Sequence, residues 1–87
     1  MSEKELIKST KKGPVKYFSD VNIENTERYV WKNGKKVNNG KSWKAMEFDN
    51  YIGAKYGKKT KYIRVEETAG VIHGHTITPE EYYKLTR

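Results

Sequence analysis

A shortage of apolar side chains constrains this fold more than any other feature of the sequence. Only 34% of the 87 residues are apolar, so the hydrophobic core must be small. Two Trp, seven Tyr and two Phe have to supply much of it, since each buries roughly 150–250 Å² when well packed. There is no cysteine, so neither a disulfide nor a thiolate metal site is available to hold the fold together. A chain of this length forms one domain at most.

The first thirteen residues differ in character from the remainder. Ser2 and Glu5 have the spacing of a capping box, but segment 1–13 is too short and too polar for a stable helix. We therefore expect a weakly ordered segment over 1–13, ended by Gly13-Pro14, and a single domain over 14–87. The β-branched and aromatic residues of Val15–Phe18 predict a strand, which Val21–Ile23 continues.

Segment 28–37, RYVWKNGKKV, carries the clearest local signal for a β-hairpin. Asn33-Gly34 is the favoured two-residue type I′ turn, because both residues accept positive φ. That turn would place Lys32 opposite Lys35 and Trp31 opposite Lys36. Opposed lysines repel each other, so the tip is either solvated or meets a negatively charged partner.

The segment from Ser42 to Tyr56 is predicted to form the central helix. Ser42 can cap it, and Gly57 suits the residue that follows its end. Its apolar residues recur at helical spacing, although Met46 and Phe48 would also suit a strand.

The last third of the chain predicts a hairpin followed by a helix. Strands over Lys61–Glu66 and Val71–Thr78 flank a turn at residues 68–70. Thr78 then stands at the N-cap of a short terminal helix, with Pro at its first position and Glu at its third. The expected fold is α+β: an antiparallel sheet of about four strands, one central helix and a short C-terminal helix.

Positive charge is unevenly distributed along the chain. Residues 1–40 carry 9 basic and 5 acidic side chains, residues 41–65 carry 7 and 2, and residues 66–87 carry 2 and 4. A basic field confined to part of a small protein attracts polyanions. The cations are 15 Lys and only 3 Arg, which favours contact with phosphates over the bidentate reading of bases.

Basic and aromatic residues alternate in the middle of the chain. Single-stranded nucleic acid is bound by cations at its phosphates and by aromatic rings under its bases. Trp31 is expected to be partly exposed, whereas Trp43 is expected to belong to the core. The predicted nucleic-acid-binding residues are Tyr29, Trp31, Lys32, Lys35, Lys36, Lys41, Lys44, Lys58, Lys59 and Lys61.

His73 and His75 would lie on the same side of a strand, because side chains alternate between its faces. A metal ion would need a third ligand, and Glu66 or Glu67 are the nearby candidates. We expect a structural role for the pair, with no metal, no cofactor and no catalytic residue. A two-histidine phosphoesterase would need two histidine motifs well apart in the sequence, and this chain has only the one at His73–His75.

Short, Lys-rich, cysteine-free chains that end in a helix such as ITPEEYYKL are similar in style to accessory proteins of bacterial viruses and plasmids; residues 77–85 carry this resemblance. The leading hypothesis is a non-enzymatic module that binds single-stranded DNA or RNA along its phosphates. The alternative is a phage- or plasmid-type inhibitor or adaptor that docks onto a host protein, itself a nucleic-acid-handling enzyme. No apolar run is long enough to cross a membrane, so we expect a cytoplasmic protein without a membrane partner.

Overall fold

A computed structural model describes residues 2–12 and 15–87, and within them the chain forms three helices and seven strands in two antiparallel sheets. The α+β class is therefore confirmed. The helices are α1 (Glu3–Ser9), α2 (Ile23–Asn33) and α3 (Pro79–Thr86). The strands are β1 (Lys16–Tyr17), β2 (Lys35–Lys36), β3 (Trp43–Glu47), β4 (Gly53–Lys55), β5 (Lys58–Thr60), β6 (Tyr62–Thr68) and β7 (Val71–Ile77).

The larger sheet, in the order β2-β3-β6-β7, has a helix on each face. Side chains alternate between the two faces. Ile63 and Val65 point to the α2 face, where they pack with Val30 and Ile52. Tyr62 and Ile77 belong to the α3 face, where Val37, Ala45 and Tyr82 complete a second small core. The larger sheet thus has a small apolar core on each of its faces.

Helix α2 occupies the segment for which the type I′ hairpin was predicted, and that prediction is wrong. Asn22, expected within a strand over Val21–Ile23, is instead the N-cap and accepts a hydrogen bond from the Asn25 amide. Val30 is fully buried against β6. Gly34 has φ −71°, which is not the positive φ of a type I′ turn, and it ends the helix. Burial of the helix face has overridden the local preference of Asn33-Gly34.

The central helix predicted over residues 42–56 is also wrong, because this segment forms β3 and β4. Trp43 and Ala45 point to the α3 face, while Lys44 and Met46 point to the α2 face. The strand-like alternation at Met46 and Phe48 was therefore the stronger signal. In β4, a Cβ at Gly53 would collide with the carbonyl oxygen of Lys16, so close pairing with β1 requires glycine.

Two type I′-like turns do occur, one at Tyr56-Gly57, where no turn was predicted, and one within the turn predicted at residues 68–70. Tyr56 (φ 53°) and Gly57 (φ 76°) join β4 to β5. Ala69 (φ 52°) and Gly70 (φ 81°) join β6 to β7. Two consecutive positive φ angles match the twist of the flanking strands. Tyrosine is an unusual residue in this conformation, since Cβ crowds the next carbonyl oxygen.

The C-terminal hairpin and helix are confirmed. Strands β6 and β7 pair in register from Tyr62 with Ile77 to Thr68 with Val71. Thr78 caps α3 with its side chain on the Glu81 amide, while the Glu81 carboxylate accepts from the Thr78 amide, which completes the capping box.

The smaller sheet, β1-β4-β5, packs against α1. Where no stable helix was expected, α1 forms with Ser2 as its N-cap and buries Leu6 against Phe18 and Ala54. The predicted strand Val15–Phe18 is realised over Lys16–Tyr17. The predicted stop at Gly13-Pro14 lies outside the described residues. Among the described residues, no helix combines the length and apolar content needed to cross a membrane.

Candidate nucleic-acid interface

Helix α3 covers only one end of its face of the larger sheet. Its C-terminal turn is attached to the β2–β3 loop, where the Asn38 side-chain amide donates to the carbonyl oxygens of Lys84 and Arg87, both at 3.0 Å. Tyr82 and Leu85 pack over this end of the face. The remaining part of the face, toward the β6–β7 turn, is not covered by the helix.

A groove of about 560 Å³ lies where the uncovered sheet, the β4–β5 turn and α3 meet. This volume is within the range of ligand-binding sites, roughly 300–1,000 Å³. The charged and aromatic side chains that line it come from five separate elements and the β4–β5 turn: Trp43, Lys55, Tyr56, Arg64, His75, Glu81 and Lys84. It is a cationic and aromatic site that no single stretch of sequence contains.

Trp43 and two cations form the floor at the sheet end of the groove. The guanidinium carbon of Arg64 lies 4.0 Å from the centre of the Trp43 ring, and the ammonium of Lys41 lies 4.7 Å from it. Trp43 and Arg64 stand side by side because β3 and β6 place them on the same face. Trp43 packs against the α3-side core but is only half-buried, so the expectation that it belongs to the core is met in part. Trp31 is partly exposed, as expected.

Tyr56 forms the wall of the groove at the β4–β5 turn. Its side chain is 57% exposed although its backbone adopts a conformation that tyrosine disfavours. The ammonium of Lys55 lies 5.2 Å from its ring centre. A strained backbone that displays an aromatic ring to solvent is typical of a functional position.

The Lys55 ammonium is held by Glu81, to whose two carboxylate oxygens it donates at 2.7 and 3.0 Å. Burial acts to raise the pKa of Glu81, but the hydrogen bonds and charge of Lys55, with the bonds from Thr78, lower it overall. The Glu81 carboxylate therefore stays ionised, and the Lys55 ammonium compensates its negative charge. The Lys84 side chain is exposed at the groove, and Lys58 and Lys59 line an adjoining cavity that shares Lys55 and Tyr56 with it.

His73 and His75 lie on the same side of β7, as predicted; this side is the α3 face, where they pair across the strands with Glu66 and Arg64. His75 Nε2 lies 3.9 Å from the Glu66 carboxylate. Over residues 2–12 and 15–87, no group of three His, Asp or Glu side chains is placed to hold a metal ion. His75 lines the groove, so it is available as a hydrogen-bonding group there.

The ten residues predicted to bind nucleic acid do not form one surface. Lys58 and Lys59 lie beside the groove, and the Lys41 ammonium contacts the ring of Trp43, which lines the groove. Lys61 is paired with Glu47 at 3.2 Å. The others belong to the end of α2 and to β2 and β3, with Lys35 on the opposite face of the sheet from Lys36 and Lys44: Tyr29, Trp31, Lys32, Lys35, Lys36 and Lys44. The groove residues that sequence patterns did not single out are Lys55, Tyr56, Arg64 and Lys84.

No protein-family model, curated protein or solved structure gives a significant match to this chain.

Proposed function

We propose that this protein is a non-enzymatic module of the cytoplasm that holds single-stranded nucleic acid in the groove. The observation that carries the proposal is Tyr56, whose ring is displayed by a strained turn at the edge of a cationic groove. Nucleic-acid binding explains this combination because a base needs an aromatic surface and its phosphates need cations. A solvated turn requires neither.

In the bound state, a base stacks on Tyr56 while the flanking phosphates meet exposed ammonium groups. Lys84 supplies one cation from α3, and Lys58 supplies another from the far side of the turn. The Lys55 ammonium contacts the Tyr56 ring and is already paired with Glu81, so it contributes little to phosphate binding. A duplex hides its base faces by stacking, whereas a single strand exposes them, so the single strand is the preferred ligand.

The groove predicts weak sequence preference. Its exposed cations are lysines, which act as mobile point charges on phosphate. Arg64, which is capable of bidentate contact with guanine, has its guanidinium against Trp43 and 3.9 Å from Glu66. Stacking on tyrosine tolerates any base, because every base has a π-face.

Matched lysine variants test the proposal. Lys58→Gln/Lys84→Gln removes two exposed cations beside the groove, and Lys4→Gln/Lys8→Gln removes two exposed cations from α1. The net charge falls equally in both. With a trace of labelled twelve-nucleotide DNA or RNA, the slope of log affinity against log salt should shrink by about 1.4 in the groove variant, since each phosphate contact contributes about 0.7. The α1 variant should keep the wild-type slope. Equal slopes in the two variants would refute the groove as the binding site.

A host protein with an acidic surface is the competing partner, since it would meet the same cations. A pull-down from a lysate, with and without nuclease treatment, separates the two. Capture of nucleic acid that nuclease abolishes supports the proposal. Capture of one protein that persists after nuclease treatment, together with no oligonucleotide binding at low salt, would refute nucleic-acid binding and favour the inhibitor or adaptor.

A further inference from the structure

The larger sheet carries a second cationic and aromatic surface on the side opposite the groove. Consecutive residues of β3 point to opposite faces, so Trp43 lies on the α3 face while Lys44 lies on the α2 face. The surface around Lys44, here called the helix-side surface, comprises Trp31, which Lys44 contacts, and Lys36, which pairs with Lys44 across β2 and β3; the exposed Lys32 and Tyr29 of α2 extend it.

Aromatic and cationic groups meet on the helix-side surface as they do in the groove. The Lys44 ammonium lies 5.1 Å from the Trp31 ring centre and donates to the Trp31 carbonyl oxygen at 2.6 Å. Tyr29 is 51% exposed, with its ring centre 6.2 Å from that of Phe48. Lys32 and Lys36 are exposed, and within residues 2–12 and 15–87 neither has a carboxylate within 4.0 Å.

We propose that one molecule binds two nucleic-acid strands at once, one in the groove and one on the helix-side surface, and so bridges them. This inference rests on the proposed function of the groove. It adds a second site, on the face of the sheet opposite the groove. The expected activity is the joining of two single strands, DNA or RNA, without chemistry.

The dimensions of the molecule allow both strands to be held. The shorter axes of the chain measure 24 Å, and the sheet with its helices stands between the two surfaces. Screening in 0.1 M salt acts over about 10 Å, so strands on opposite sides repel each other little. The positive net charge of +7 also leaves cations for a second strand after the first is bound.

A bead assay tests bridging with inert, non-complementary oligonucleotides. One oligonucleotide is attached to beads, the protein is added at a concentration at which sedimentation shows a monomer, and a second, fluorescent oligonucleotide follows. Three proteins are compared: wild type, Lys32→Gln/Lys36→Gln and Lys58→Gln/Lys84→Gln. The wild type should retain the fluorescent strand. The Lys32/Lys36 variant should stay on the beads as the wild type does but lose most of the fluorescent strand, with an unchanged melting temperature.

The outcomes separate this inference from the proposal on which it rests. If wild-type protein is retained on the beads but captures no second strand, bridging is refuted and the groove proposal stands. If the Lys32/Lys36 variant captures the second strand as well as wild type does, the helix-side surface is not the second site and the inference is wrong. If wild-type protein is not retained on the beads at all, both proposals fail.

Discussion

Replacement of Tyr56 by asparagine should raise stability and weaken nucleic-acid binding in the same molecule. Tyr56 has φ 53° and precedes Gly57 at φ 76° in the β4–β5 turn. Such a backbone conformation costs a bulky L-residue about 1–2 kcal/mol, whereas Asn-Gly is the favoured pair for it. The change therefore removes strain that the native chain retains.

The magnitude follows from the contacts of the ring. Loss of the Lys55–Tyr56 cation–π contact removes about 0.5–1 kcal/mol, since the site is exposed. Lys55 keeps its pairing with Glu81. The net gain for Tyr56→Asn is then between about 0 and 1.5 kcal/mol, which corresponds to a rise in melting temperature of up to roughly 12 °C for a domain of this size. Loss of one stacked base should weaken binding by about 5-fold to 150-fold.

Ala69→Asn provides the matched control, because Ala69 has φ 52° and also precedes a glycine, in the β6–β7 turn. It should gain stability for the same reason and bind oligonucleotide as the wild type does. Thermal melting by circular dichroism and fluorescence anisotropy at fixed salt measure the two quantities. If Tyr56→Asn lowers the melting temperature, the strain argument is wrong; if it melts higher and binds unchanged, Tyr56 is not a stacking platform.

Two further predictions concern stability. Because the pKa of Glu81 is lowered below its ordinary value of 4.5, the stability from its charged form is fully present above that value and is lost as the pH falls through the lower folded-state pKa. Wild type should therefore melt above Glu81→Gln at pH 7, with a gap that closes as the pH falls below 4.5; a gap that stays constant would contradict this. A Cβ at Gly74 would lie 2.7 Å from both the Glu27 carboxylate and the Tyr17 hydroxyl, so Gly74→Ala should lower the free energy of unfolding by about 1–3 kcal/mol. The control variant His73→Ala, at an exposed position, should change the free energy of unfolding by less than about 0.5 kcal/mol. Equal melting temperatures for these two variants would show that the space around Gly74 is not restrictive.

The elements that sequence predicted are those fixed by neighbouring residues. Thr78, Pro79 and Glu81 specify the start of α3 by local hydrogen bonds and a fixed φ, and the alternation in β6 and β7 specifies a hairpin. Asn33-Gly34 also carries a local preference, but burial of Val30 against Ile63 and Val65 decides the structure there. That burial depends on residues more than thirty positions away, which no local pattern contains.

The groove was predictable only in its chemistry. The excess of lysine and aromatic residues predicts basic and aromatic surfaces, and three of the predicted binding residues, Lys41, Lys58 and Lys59, lie at or beside the groove. The positions of Tyr56, Arg64 and Lys84 depend on how the β4–β5 turn, β6 and α3 come together. A Tyr-Gly pair that adopts positive φ at both residues has no sequence signature of the strength of Asn-Gly.

Salt dependence of single-strand binding tests the central claim most directly. A trace of labelled twelve-nucleotide strand is titrated with wild-type protein in 50 mM and 200 mM salt, beside a duplex of the same sequence. With two phosphates neutralised, by Lys58 and Lys84, the slope is about −1.4 and the affinity for the single strand should fall roughly 7-fold between the two salts. The single strand should also bind more tightly than the duplex at each salt. No measurable binding at 50 mM, or an affinity that salt leaves unchanged, would contradict a groove built to hold a phosphate backbone.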